Sequence, residues 1–211
     1  FFPAPPKRVL DTRALNAVEA QGEICVLVAS DGVPADATAI SINVTATETT
    51  ASGFLSAYPA GAPRPLVSNL NFSPNQTVAN AAIVPVGKDG RICIYNSAGR
   101  SHVLIDRAGY FAPSGDGGRF FSLTPKRAFD SRLESKEALS PMTVTEVTTD
   151  GAGVPRGATA AIVNLTATDV AAAGFVTAFP SGGTAPLISN LNVAEGDTRA
   201  NLAIVELRDG Q

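Results

Sequence analysis

The chain has 211 residues, 45% of them hydrophobic and 17% charged, with a formal net charge of −3. That length suits one large domain or two of about 100 residues. The balance lacks the basic footprint of a nucleic-acid binder, and no apolar run approaches the roughly 18 residues of a membrane span.

Its 19 Gly and 15 Pro are spread as punctuation among abundant Ala, Val, Thr, Ile and Ser, and long Leu/Glu/Lys stretches are missing. Many short strands joined by tight turns are therefore predicted. No signal peptide is visible, which says nothing of export: Phe1 is not an initiator and the chain reads as a trimmed piece.

In chain order, residues 9–13 form the first predicted strand, with Asp11 and Arg13 two apart and so on one face. Residues 23–30 form the second and carry Cys25. Residues 39–47 alternate cleanly: Ile40, Ile42, Val44 and Ala46 fall on one face, Ser41, Asn43, Thr45 and Thr47 on the other. That period marks a strand with one face in a core. Strands at 53–58, 69–73 and 77–86 follow; they place Tyr58 before Pro59, Asn69 and Asn71 on a shared face, and Asn80 in the third. Asp89-Gly90 predicts a hairpin into 91–96, which carries Cys93. His102 follows a Ser-Ala-Gly-Arg-Ser turn and reads as a solvent-facing turn residue before the last strand, 103–111. About eight strands in about 112 residues indicate a sandwich or a jelly-roll-like barrel. No connection shows an amphipathic helix, so parallel βαβ units are not expected.

An internal repeat then organises the chain. Asn43-Val44-Thr45-Ala46-Thr47 returns as Asn164-Leu165-Thr166-Ala167-Thr168, an offset of 121 (164 − 43). At that offset Gly53-Phe54 returns as Gly174-Phe175, and Tyr58-Pro59 as Phe179-Pro180. Ser68-Asn69-Leu70-Asn71 returns as Ser189-Asn190-Leu191-Asn192, and Asn80 as Asn201. Lys7-Arg8 through Arg13 matches Lys126-Arg127 through Arg132, so Asp130 and Arg132 repeat Asp11 and Arg13. Phe120-Phe121 echoes Phe1-Phe2. Copy one spans 1–112, a Gly-rich flexible linker 113–118, and copy two 119–211. Copy two stops at Asp209-Gly210, the counterpart of Asp89-Gly90, and so lacks the last two strands. Either the parent protein continues, or another chain supplies them by strand exchange at an exposed sheet edge.

Two cysteines, Cys25 and Cys93, both lie in copy one. They are read as a disulfide, which implies an oxidising compartment, or as two buried free thiols. Glu146 stands where Cys25 aligns in copy two. His102 is the only histidine. No zinc-type Cys/His cluster or phosphate-cradling glycine loop is present. The acidic residues near Asp116 and Asp150 lack the alternation of a calcium loop. No catalytic residue, metal or cofactor is expected.

The repeated polar residues admit two readings. Asp11, Arg13, Asn69, Asn71 and their counterparts Asp130, Arg132, Asn190 and Asn192 could line a groove for sugar hydroxyls, with Tyr58 and Phe179 as stacking platforms. They could equally form a satisfied network that pins loops and strand ends. The triplets at Asn43, Asn75 and Asn164 fit a glycosylation acceptor pattern but read as structural.

The segments Arg8-Val9-Leu10-Asp11-Thr12-Arg13, Val33-Pro34, Asn43 to Thr47, Ser68 to Phe72 and Val103 to Phe111 together resemble a repeat common in secreted actinobacterial proteins. The resemblance covers nearly all of copy one and most of copy two. It implies an exported, multi-copy β module appended to surface or hydrolytic domains, and it brings no catalytic residue. Arg107 stands where an apolar residue is usual, and copy two ends early.

The resulting expectation is an all-β chain of two tandem antiparallel β-sandwich, jelly-roll-like domains. It would act as a non-catalytic structural or adhesive module of a secreted or cell-surface protein, or as a carbohydrate- or cell-wall-binding module. Expected partners are a cell-wall polysaccharide or another surface protein, not nucleic acid, and not a membrane that it inserts into.

Overall fold

Alternating apolar residues produce the strands, and the computed structural model describes residues 1–113, 115–121, 123, 126–134 and 137–208. Ser114 of the linker and the Asp209-Gly210 pair lie outside the described residues. Copy one contains eight strands: β1 (Phe2–Asp11), β2 (Glu23–Leu27), β3 (Ala39–Thr47), β4 (Gly53–Pro59), β5 (Leu70–Phe72), β6 (Val78–Pro85), β7 (Arg91–Asn96) and β8 (His102–Phe111). They form two antiparallel sheets in the orders β1-β8-β3-β6 and β2-β7-β4-β5. Successive strands alternate between the sheets, except for the β4–β5 pair. That is the jelly-roll arrangement, in which early strands pair with late ones.

The alternation of β3 behaves as its sequence demands. Ile40, Ile42, Val44 and Ala46 enter the core against Leu55, Ile92, Ile94, Val103 and Ile105. Each such Ile, Leu or Val side chain, fully withdrawn from water, contributes on the order of 1.5–3 kcal/mol. At the other end of the sandwich Phe1 packs against Phe111 and Phe2 stacks on Tyr110, both pairs with centroids 5.0 Å apart. Gly109 makes this possible: a Cβ there would stand 2.4 Å from the Phe1 ring.

Three local expectations are corrected. Asp89-Gly90 is not a hairpin: β6 and β7 belong to different sheets, and the turn carries the chain from one to the other. Asp89 takes the left-handed conformation (φ 56°), which satisfies the turn signal without strand pairing. The second strand ends at Leu27, because the Val28 and Ala29 amides both donate to the Gly90 carbonyl, and the chain then turns at Asp31 and Gly32. His102 is the first residue of β8 and half-buried, not a solvent-facing turn residue.

Copy two repeats the middle of this order: β9 (Ala160–Ala167), β10 (Gly174–Val176), β11 (Leu191–Val193) and β12 (Arg199–Glu206). β9 pairs with β12 as β3 does with β6, and β10 with β11 as β4 does with β5. The segments answering to β1 and β2 form no strand among the described residues. In copy one those strands pair only with β8 and β7, which have no counterpart among the described residues of copy two. Phe120 and Phe121, the echo of Phe1-Phe2, lie exposed. The linker is tethered at its end: Phe1 and Gly118 exchange two backbone hydrogen bonds, at 2.8 and 2.7 Å.

Cys25 and Cys93 form a disulfide between directly opposed residues of β2 and β7. The bond spans 68 residues of chain, a closure that contributes about 4 kcal/mol in the chain-entropy model. We expect the Cys25→Ser/Cys93→Ser double variant to retain the jelly-roll circular dichroism spectrum and to lose about 2–4 kcal/mol in urea unfolding. An unchanged midpoint would show that β2 is held by packing alone.

Candidate functional site

The Asp-x-Arg motif is a local clasp and not a pair on a strand face. β1 ends at Asp11, and Thr12–Ala14 is a 3-10 turn that Asp11 caps by accepting from the Arg13 amide at 3.0 Å. The Arg13 guanidinium folds back onto the same carboxylate, with Nε 3.0 Å from Oδ1 and Nη2 2.6 Å from Oδ2. Arg8 Nη1 adds a third contact at 3.3 Å. Copy two builds the same clasp: Asp130 accepts from the Arg132 amide, Nε and Nη2 at 3.1, 3.0 and 2.8 Å, and from Arg127 Nη1 at 2.7 Å. It forms there without a first strand, so its geometry is set by the Arg-x-x-Asp-x-Arg spacing itself. The Arg13 guanidinium bonded to Asp11 holds that carboxyl down at about 2, and Arg132 likewise lowers Asp130.

Arg8 also clamps Asp106 on β8, with Nε and Nη2 at 2.8 and 3.0 Å from the two carboxylate oxygens. Asp106 is buried. Burial pushes its carboxyl up, more than Arg8 draws it down. Arg107 beside it is buried too; its Nη1 donates to the Asp31 carbonyl at 2.9 Å, while its Nε has no partner. His102 Nδ1 lies 3.1 Å from Thr12 Oγ1, which accepts the Val103 amide at 2.8 Å.

The repeated amides fasten the lateral edge of each copy. Asn69 Oδ1 accepts the Ala57 amide at 2.8 Å, and Asn80 Nδ2 donates to the Asn69 carbonyl at 2.7 Å. Copy two duplicates both bonds through Asn190 to Ala178 and Asn201 to Asn190, at 2.7 and 2.5 Å. Asn71 accepts from Ser68 Oγ, and Asn192 donates to Ser189 Oγ, each at 3.0 Å. No hydrogen bond joins Arg13 to Asn69 or Asn71. Tyr58 is buried, donates to Glu23, and has its hydroxyl pushed up to about 12, first by burial. Phe179 is half-buried.

A shallow depression lies on the outer face of the β2-β7-β4-β5 sheet. Its lining includes Glu23, Tyr58, Arg64, Lys88, Asp89 and Arg91. Of the predicted ligand-binding residues, only Tyr58 reaches it. Arg64 sits 3.9 Å over the Tyr95 ring, a cation–π contact that fixes the loop across this face.

A polar contact joins the two copies. The outer face of β3, polar in sequence, is buried under copy two. Asn43 Nδ2 donates to the Ser189 carbonyl at 2.5 Å, and Asn43 Oδ1 accepts from Asn201 Nδ2 at 3.0 Å. Asn201 Oδ1 accepts the amide of Ala81, on the free edge of β6, at 3.2 Å. The Ser189 backbone draws the Asp106 carboxyl down, against the effect of burial, and Arg199 reaches the Thr77 carbonyl at 3.4 Å. Ser41, Thr45 and Leu104 are buried on the same face. Sequence reasoning picked out Asn43, Ser189 and Asn201 as repeated residues but did not place them together. It also missed the Arg8–Asp106 clamp, although both residues sit inside the motif segments.

Neither a protein-family model nor a curated protein matches the chain. Two solved structures of the tobacco streak virus coat protein align with it at 11% identity and a TM-score of 0.28. One, of a dimer, covers 53% of this chain and 86% of that chain; the other covers 59% and 99%. Among the described residues no group of three or more His, Cys, Asp or Glu could hold a metal ion, and no helix is long and apolar enough to cross a membrane.

Two predictions follow from the clasp and the clamp. Arg8→Met should cost about 3 kcal/mol at neutral pH, because it strands the buried Asp106 carboxylate, and Arg8→Met/Asp106→Asn should recover much of that loss. Urea unfolding of the two variants checks this, and equal losses in both would refute the clamp's energetic role. Asp11 titrates at about 2 in the folded chain against about 3.9 unfolded. Its contribution is therefore complete above pH about 4 and lost as pH falls towards 2. The stability gap between wild type and Asp11→Asn should shrink across that window in thermal melts.

Proposed function

We propose that this chain is a non-catalytic structural and adhesive tandem repeat from a secreted or cell-surface protein, which spaces or attaches neighbouring domains. The observation that carries this reading is where the repeated polar side chains go. Asp11, Arg13, Asn69, Asn190 and Asn201 hydrogen-bond to one another or to backbone, or join copy to copy. A sugar-binding groove would instead hold convergent polar groups free for a ligand. The Cys25–Cys93 disulfide supports an oxidising compartment. The resemblance to secreted actinobacterial repeats supports export and a multi-copy setting.

The test is a pull-down of the purified chain on isolated Gram-positive cell walls, chitin and cellulose, with the exposed Asn71→Ala and the half-buried Tyr95→Ala as controls. We expect no saturable retention on any polymer. Saturable retention on one of them, abolished by a variant whose melting curve is unchanged, would replace this reading with a carbohydrate-binding module.

A further inference from the structure

The contact between the copies is heterologous. It joins one kind of surface on copy one to a different kind on copy two, and each copy carries both kinds. Copy two contributes an edge plug: the loop ending in Ile188, Ser189 and Asn190, with Asn201 on the adjacent strand β12. Copy one contributes a receiving face, the outer side of β3 with the free edge of β6. The unused halves are the copy-one plug, with Val67, Ser68 and Asn69 at the same offset, and the copy-two face, with Ile162, Asn164 and Thr166 in place of Ser41, Asn43 and Thr45.

Burial follows this division. Ile188 is 5% exposed in its docked plug, and its counterpart Val67 is 52% exposed. Ser41 is 3% exposed on the covered face, and its counterpart Ile162 is 46% exposed. Asn164 and Thr166 are exposed as well, and so is Ser68. The β12 edge answering to the edge of β6 has no strand partner among the described residues.

We infer that the free plug of one chain docks on the free face of a second copy of this chain and repeats the internal contact head to tail. Asn164 stands where Asn43 binds Ser189 and Asn201, so it would meet Ser68 and Asn80 of the incoming chain. The amide of Leu202 replaces that of Ala81 as the edge donor. Asp106 has no counterpart among the described residues of copy two. In exchange the face is more apolar: Ile162 replaces Ser41, Leu202 replaces Ala81, and both are exposed. The exposed Leu66 and Val67 of the plug suit that change. A heterologous contact leaves one unused half at each end, so it propagates into chains or closes into a ring. The inference rests on the contact between the copies and holds whether or not the module binds a wall polymer.

The test is sedimentation velocity of the whole chain over a wide concentration range, with two exposed-site variants checked for an unchanged melting curve. Val67→Asp disables the plug, and Asn164→Arg disables the face. Wild type should rise in average mass by at least about two-fold, as an open-ended series requires, while each variant alone stays monomeric. A mixture of the two should form dimers and nothing larger, because one intact plug meets one intact face. A wild type that is monomeric throughout would overturn the proposal. So would variants that associate as wild type does, which would assign association to the free edge of β9, or a mixture that fails to dimerise.

Discussion

A buried carboxamide has to be hydrogen-bonded, and in this chain that requirement ties one copy of the repeat to the other. Asn43 lies on an inner strand of a four-stranded sheet whose one face fills the core. Its other face is withdrawn from water by copy two, and both ends of the amide find partners there, on Ser189 and Asn201. An unpaired amide in that position would cost roughly 1–3 kcal/mol. The contact therefore holds only in the register that pairs it. Asn201 carries the geometry further: it bonds Asn190 in its own copy while binding Asn43 and Ala81 in the other.

The electrostatics divide into a local part and a long-range part. The Asp11–Arg13 and Asp130–Arg132 clasps close over a few residues, stay near the surface, and form alike in both copies. The Arg8–Asp106 clamp crosses from the first strand to the last and sits under the second copy. Its carboxyl is raised by burial, whereas the clasp carboxyls are lowered by their arginines. The same residue types thus act in opposite directions on the acid stability of the chain: burial outweighs the arginine at Asp106, and the arginine outweighs burial at Asp11 and Asp130.

That distribution is what supports the proposed spacer role. Polar side chains that bond to backbone and to each other stiffen strand ends and module junctions, and are not free for a ligand.

Period-two alternation in 39–47, the Gly/Pro punctuation and the offset of 121 (164 − 43) were enough to read an all-β repeat and its strands, because a strand's inner face and a repeat's spacing are written locally. The clasp residues were legible as a pair for the same reason, although the turn that holds them was not. Which strands pair was not legible. Asp89-Gly90 carries a sound local turn signal, but a jelly roll sends successive strands to opposite sheets, and no short window records that. Nor could alternation show that the polar face of β3 would be buried. Alternation puts Ser41, Asn43 and Thr45 only on the face turned from the core, and a second copy, 121 residues away in sequence (164 − 43), covers them. That burial is a property of the packed chain, since its partners meet only once both copies have folded.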